Sequence, residues 1–90
     1  MNLRFRVKKP MIAKLDKARK ALIQLVDVKG INVYLVKLYM HSDIPEILIR
    51  PEDGKLLPGV AYNCFKDRDE SFVCYQATVE GCRVTWTERE

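Results

Sequence analysis

From Leu3 to Lys8 apolar and basic residues alternate one for one, Leu3, Phe5 and Val7 against Arg4, Arg6 and Lys8. A period of two predicts a strand with one buried face and one wet, basic face. Lys9-Pro10 closes it, because proline cannot donate to a ladder but suits the first turn of a helix. From about residue 10 to Lys29 the period changes. Met11, Leu15, Ala18, Leu22, Leu25 and Val26 recur at the three-and-four spacing of a helix with one buried stripe. Lys14, Lys17, Lys20 and Gln24 fall on the far side of that stripe. Lys29 and Gly30 then supply a cation for the last turn and a glycine just beyond it, where a helix end favours both.

Everything after Gly30 reads as strand. Residues 31–40 are β-branched, aromatic and apolar on both faces, the pattern of a central strand. His41-Ser42-Asp43 and Pro45 mark a turn, and Glu46–Arg50 a short strand. Residues 51–59 carry Pro51, Gly54 and Pro58-Gly59 and form the longest loop. Three strands follow, Val60–Lys66, Ser71–Val79 and Cys82–Glu88. With Glu80-Gly81 as a two-residue turn, Val79 opposes Cys82, Ala77 opposes Val84 and Tyr75 opposes Trp86, which makes one face wholly apolar. With Asp67–Glu70 as a four-residue loop, Val73 opposes Cys64 and Tyr75 opposes Tyr62. Tyr62, Tyr75 and Trp86 would then form an aromatic row beneath the helix. The expected architecture is α+β, in the order β-α-β-β-β-β-β, with one helix packed on a mostly antiparallel sheet. Ninety residues suffice for a single such domain, 1–90.

Composition narrows the class. Hydrophobic residues are 48% and charged residues 31% of the chain, which is globular and excludes wholesale disorder. No stretch approaches the roughly 18–20 apolar residues of a membrane span. Charges at Arg4 and Arg6 stand where a signal peptide needs its apolar region, so a cytoplasmic domain is expected. The net charge of +4 conceals a larger split: residues 1–40 hold ten Lys/Arg against Asp16 and Asp27, whereas residues 41–90 hold six against ten acids. A cationic first half suggests a polyanionic partner, nucleic acid or an acidic protein surface.

Catalytic chemistry is hard to find. Cys64, Cys74 and Cys82 form no Cys-x-x-Cys pair. In the derived register Cys64 and Cys82 point into the core and Cys74 away from it, which disfavours a disulfide. One histidine gives zinc no fourth ligand, so neither metal nor cofactor is expected. His41, Ser42 and Asp43 are adjacent in a turn, where side chains point apart rather than converge as a triad requires. The four glycines stand singly at element boundaries, with no phosphate-binding loop. No nucleophile or base can be named, and no enzyme is expected.

Two surfaces remain as binding candidates. One is basic: Arg4, Arg6 and Lys8 on the first strand with Lys14, Lys17 and Lys20 on the helix. The other is the sheet face away from the helix, where Phe65 and Phe72 cluster with Cys74, Asn63 and Gln76, unless Lys55-Leu56-Leu57 folds over it. A small, motif-free basic domain has the makeup of the inhibitors that phages and mobile elements encode, anti-CRISPR proteins among them. The expectation is therefore a non-enzymatic protein-binding module, a monomer or homodimer, that occludes a nucleoprotein or nucleic-acid-handling partner through its basic N-terminal face, in the host cytoplasm if phage-encoded. The alternative is a nucleic-acid-binding domain using the same basic residues, although only the inward-pointing Phe5 interleaves with them.

Overall fold

The computed structural model describes residues 9–90, and the strand expected over residues 3–8 lies outside them. Within the described residues the order is a helix, two strands, a short 3₁₀ segment and three strands, so the description opens on the helix rather than on β-α-β. The helix α1 spans Lys9–Leu22 and continues through Ile23–Val28 as a π-helical stretch. There the hydrogen bonds lengthen their reach: the Lys29 amide donates to the Gln24 carbonyl at 3.1 Å and the Ile31 amide to that of Leu25 at 2.8 Å. Gly30 ends it in the left-handed region at φ 68°, as its position after the stripe predicts. No described helix is long and apolar enough to cross a membrane.

Five strands follow: β1 (Val33–Lys37), β2 (Glu46–Ile49), β3 (Val60–Asp67), β4 (Glu70–Val79) and β5 (Cys82–Arg89), ordered β1-β2-β5-β4-β3 across one sheet. Neighbours are antiparallel except β2 and β5, which are parallel. The β4–β5 register is the expected one, with Val79 opposite Cys82, Ala77 opposite Val84 and Tyr75 opposite Trp86. Both turns of this meander are two-residue turns with positive φ at each central position, Arg68-Asp69 and Glu80-Gly81. That geometry matches the twist of the flanking strands.

Two strand placements differ from expectation. Among the described residues β1 lies at the edge of the sheet, where a central strand was expected, although its residues are apolar on both faces. A bulge between Ala61 and Asn63 shifts the β3–β4 register, so Tyr75 pairs with Ala61 rather than Tyr62. The inserted residue turns Tyr62 to the other face, where its ring lies 4.7 Å from the Arg83 guanidinium. The aromatic row thus shrinks to Tyr75 and Trp86, stacked at 5.7 Å. Its cover is not the helix either. The 3₁₀ segment Pro51–Leu56 lies over Trp86, close enough that a Cβ on Gly54 would come within 2.1 Å of the indole Nε1. Asp53 ties this segment to the start of β1, accepting from the Asn32 amide at 2.8 Å and its side-chain Nδ2 at 3.2 Å.

The core is a single cluster. Ala21 and Leu25 of the helical stretch meet Ile47, Ile49, Cys82, Val84 and Ala77 of the sheet, and Leu57 closes the side over Trp86. The helix buries Lys14, Ala18, Ala21 and Leu25, spaced four, three and four apart on one face. Leu15 and Val26, expected in that stripe, are exposed. The two alanines let the helix sit close to the sheet, and the sheet reaches under only part of the apolar stripe. Beyond the core, β3 and the first half of β4 project as a ribbon whose outer strand is exposed at all eight positions. The radius of gyration is accordingly 15.3 Å, against about 12 Å for a compact chain of this length.

Candidate interaction surfaces

Of the helix lysines expected on the outward basic face, Lys14 turns inward, whereas Lys20 is exposed and Lys17 half-buried. Lys14 is 5% exposed and sends its ammonium to the Tyr39 carbonyl, its stem lying along the core. Lys17 reaches the Asp43 carbonyl at 3.4 Å, near the β1–β2 connection. Lys20 pairs with Asp16 at 3.2 Å, and Arg19 reaches the same carboxylate at 3.4 Å. The Lys20 hydrogen bond, chiefly, holds the Asp16 carboxyl below its ordinary pKa. Arg4, Arg6 and Lys8 lie outside the described residues.

No described helix or strand packs over the sheet face away from the helix, although Thr85 and Cys74 on it are buried. Lys55-Leu56-Leu57 does not cross it, because Leu57 is buried in the core on the helix side. Strand alternation places Leu48, Arg83, Thr85, Thr87, Cys74 and Gln76 on this face, through the pairs Leu48–Thr85, Gln76–Thr85 and Cys74–Thr87. On the ribbon, Phe65 and Phe72 pair across β3 and β4 and stack at 5.1 Å with an 18° interplanar angle. Phe65 stays 45% exposed. Nearer the sheet centre a polar cluster is built around Arg83. Its Nε donates to Gln76 Oε1 at 2.8 Å, its Nη1 lies 3.5 Å from Glu46, and Tyr62 stacks on its plane. Tyr39 donates to the same Glu46 carboxylate at 2.6 Å, and that bond raises the phenol above its ordinary pKa. Tyr62 is raised as well, first by burial and next by Cys74. This cluster eludes a reading by alternation because the bulge at Tyr62 and the parallel β2–β5 pairing assemble it.

The three cysteines are free thiols in three settings. Cys82 is buried in the core, and that burial raises its thiol pKa, with Lys17 nearby opposing. Cys74 faces the other way, 3.7 Å from the Thr87 hydroxyl. Cys64 sits opposite Val73 as expected but is exposed, because the ribbon carries it past the end of the core. His41 is exposed in its turn, and Ser42 Oγ accepts from the Ile44 amide at 3.1 Å, which is local turn chemistry. Among the described residues no group of three or more His, Cys, Asp or Glu is arranged to hold a metal ion. Compared with protein-family models, curated proteins and solved structures, the chain matches none.

Proposed function

We propose that this domain is a non-enzymatic protein-binding module, of the kind phages and mobile elements use as inhibitors, and that it seats the β3–β4 ribbon on a protein or nucleoprotein partner. The stacked Phe65–Phe72 pair carries this reading. Two aromatic rings on an uncovered face, outside the core, stabilise the domain little but suit the buried centre of an interface, where aromatics dominate the binding energy. The acidic turn residues Asp67, Asp69 and Glu70 and the basic Lys66 and Arg68 would supply the polar rim around them. Apart from the buried Lys14, the cations of the first twenty residues, Arg4, Arg6, Lys8, Lys17 and Lys20 among them, would speed encounter with an acidic surface rather than anchor it.

A pull-down from the source cell tests this reading. Wild-type protein should recover one dominant partner, and Phe65→Ala with Phe72→Ala should lose it while the thermal midpoint stays near that of wild type. Charge reversal at Arg4 and Arg6 should slow association more than it speeds dissociation. Tight, sequence-selective binding to naked DNA or RNA would overturn the reading. Salt dependence near −0.9 in log–log slope per phosphate on duplex DNA, together with indifference to the phenylalanines, would transfer the function to the basic residues.

A further inference from the structure

Two strands of the sheet carry one residue too many, and in both the extra residue is a tyrosine. The β1–β2 register slips between Val33 and Leu35, at Tyr34, and the β3–β4 register between Ala61 and Asn63, at Tyr62. Followed through the strand pairs, Tyr34 is level with Leu48 and so with Thr85 of β5, while Tyr62 is level with Cys74 and Tyr75 and so with Trp86 and Thr87. The two bulges thus face each other across the sheet, within about two residues along the strands. Each ring has an arginine on it: Arg50 stands 5.5 Å from the Tyr34 centroid and Arg83 4.7 Å from that of Tyr62. Bulges re-aim side chains and recur beside functional sites. Here both aim at one place. Tyr34 and Tyr62 line the same cavity of about 370 Å³, together with Leu48, Thr85 and Lys37, a size usual for small-molecule sites. Neither tyrosine belongs to the core cluster.

The geometry points to a nucleotide site: a flat heteroaromatic ring stacks on these tyrosines and its phosphate meets Lys37. The walls call for the ring. Tyr34 is 63% and Tyr62 44% exposed, and neither guanidinium lines the cavity, so both aromatic surfaces are available from inside it. A planar heterocycle covers such surfaces better than a flexible chain does, and base–aromatic stacking is favourable for every base. The charges call for the anion. Arg50 is paired with Glu52 at 3.6 Å and Arg83 with Glu46 at 3.5 Å. Lys37 stands opposite Glu46 in the β1–β2 register, but that carboxylate is engaged by Arg83 and by the Tyr39 hydroxyl. Among the described residues Lys37 has no ion pair, and residues 1–8 contain no acid that could supply one. The cavity is therefore left with one uncompensated positive charge beside two stacking surfaces. Its floor offers the hydroxyls of Thr85 and Thr87, which can donate or accept and so discriminate little between bases. Recognition is base-tolerant, and it neither uses the Phe65–Phe72 pair nor depends on its role. The same chemistry is presented by a free mononucleotide and by one nucleotide of a single strand.

Adenosine monophosphate titrated into nitrogen-15-labelled protein should shift the amides of Tyr34, Lys37, Leu48, Tyr62 and Thr85, with half-saturation at about 1 mM or below. Tyr34→Ala and Tyr62→Ala should each weaken binding about fivefold to a hundredfold. Tyr34→Phe and Tyr62→Phe keep the rings and should change it less than about threefold. Lys37→Ala should weaken the monophosphate and leave the affinity for adenosine as it was. Circular dichroism melts check that each variant folds. A short oligodeoxyadenylate that binds about tenfold tighter than the monophosphate makes a single strand the source of the nucleotide, and equal affinities make it the free molecule. No shift at about 10 mM of either probe overturns the inference, as do shifts confined to other parts of the protein. So does ribose 5-phosphate binding as tightly as the monophosphate, indifference to the alanine variants, or nuclear Overhauser contacts that fill the cavity with residues 1–8 of the free protein.

Discussion

The contact between Trp86 and the two glycines of the preceding segment can be tested by adding one methyl group. The indole is buried, stacked on Tyr75 on one side and bonded through Nε1 to Glu88 at 3.0 Å. A Cβ on Gly54 would stand 2.1 Å from Nε1, and one on Gly59 2.3 Å from Cη2, so the ring is clasped at both ends. Both approaches are far inside van der Waals contact, and the stack and the hydrogen bond leave the ring little room to swing away. Overpacking of this kind costs about 1–3 kcal/mol. Neither glycine needs positive φ, so alanine recovers about 0.4–1 kcal/mol by restricting the unfolded chain. Gly54→Ala and Gly59→Ala should each therefore destabilise by about 0.5–2.5 kcal/mol, a fall of several degrees in the thermal midpoint of a domain this size. The decisive measurement is a double-mutant cycle with Trp86→Leu, followed by urea denaturation and far-UV circular dichroism, since the variant lacks the chain's one tryptophan. In that background the added methyls should be neutral or stabilising, which gives a coupling of about 1–3 kcal/mol. Thr87→Ala, one residue along on the open face, should cost less than about 1 kcal/mol. Glycine substitutions that cost the same with and without the indole would refute the clasp. A Thr87 variant worse than Trp86→Leu would shift the β5 register by one residue.

Two further outcomes follow from the cysteines and the titrating groups. A thiol reagent should modify Cys64 fast in the native protein and leave Cys74 and Cys82 protected until unfolding, as mass spectrometry of timed aliquots would show; early labelling of Cys82 would contradict its place in the core. Burial raises the Cys82 thiol pKa, and Tyr39 and Tyr62 are raised too, so the native state holds these protons longer than the unfolded chain does. Stability from these groups is complete below their unfolded pKa values and is lost as pH rises through the folded ones. The thermal midpoint should therefore drop above about pH 9, and less so in Cys82→Ala.

Local signals in the chain were strong where one short-range rule decided the structure. Gly30 follows an apolar stripe and ends the helix, and Glu80-Gly81 between two alternating runs sets the β4–β5 register to the residue. What escaped needed long-range information. Alternation cannot reveal that a bulge turns Tyr62 over, because an inserted residue leaves the local pattern of apolar and polar positions unchanged. Nor can periodicity say how far a sheet reaches beneath a helix. Lys14 reads as solvent-facing by charge and is buried by geometry, while Leu15 reads as core and lines an open groove. The open face was half legible: Phe65, Phe72 and Cys74 follow from the hairpin register, whereas the Tyr39–Glu46–Arg83 cluster depends on the parallel pairing of strands separated by more than thirty residues.

That parallel pairing also governs how the protein comes into being. β5 is the one strand that both halves of the sheet share, joining β2 on one side and β4 on the other. Without β5 the described residues hold a helix with one hairpin, β1–β2, and a separate second hairpin, β3–β4. Isolated two-stranded hairpins are marginal in water, so the β3–β4 hairpin, which has no helix packed on it, depends on β5 for its stability. Only the eight residues Cys82–Arg89 convert the two into one sheet. Folding of the two halves is in this sense coupled through one strand, and a change that weakens β5 exposes the apolar faces of both hairpins together.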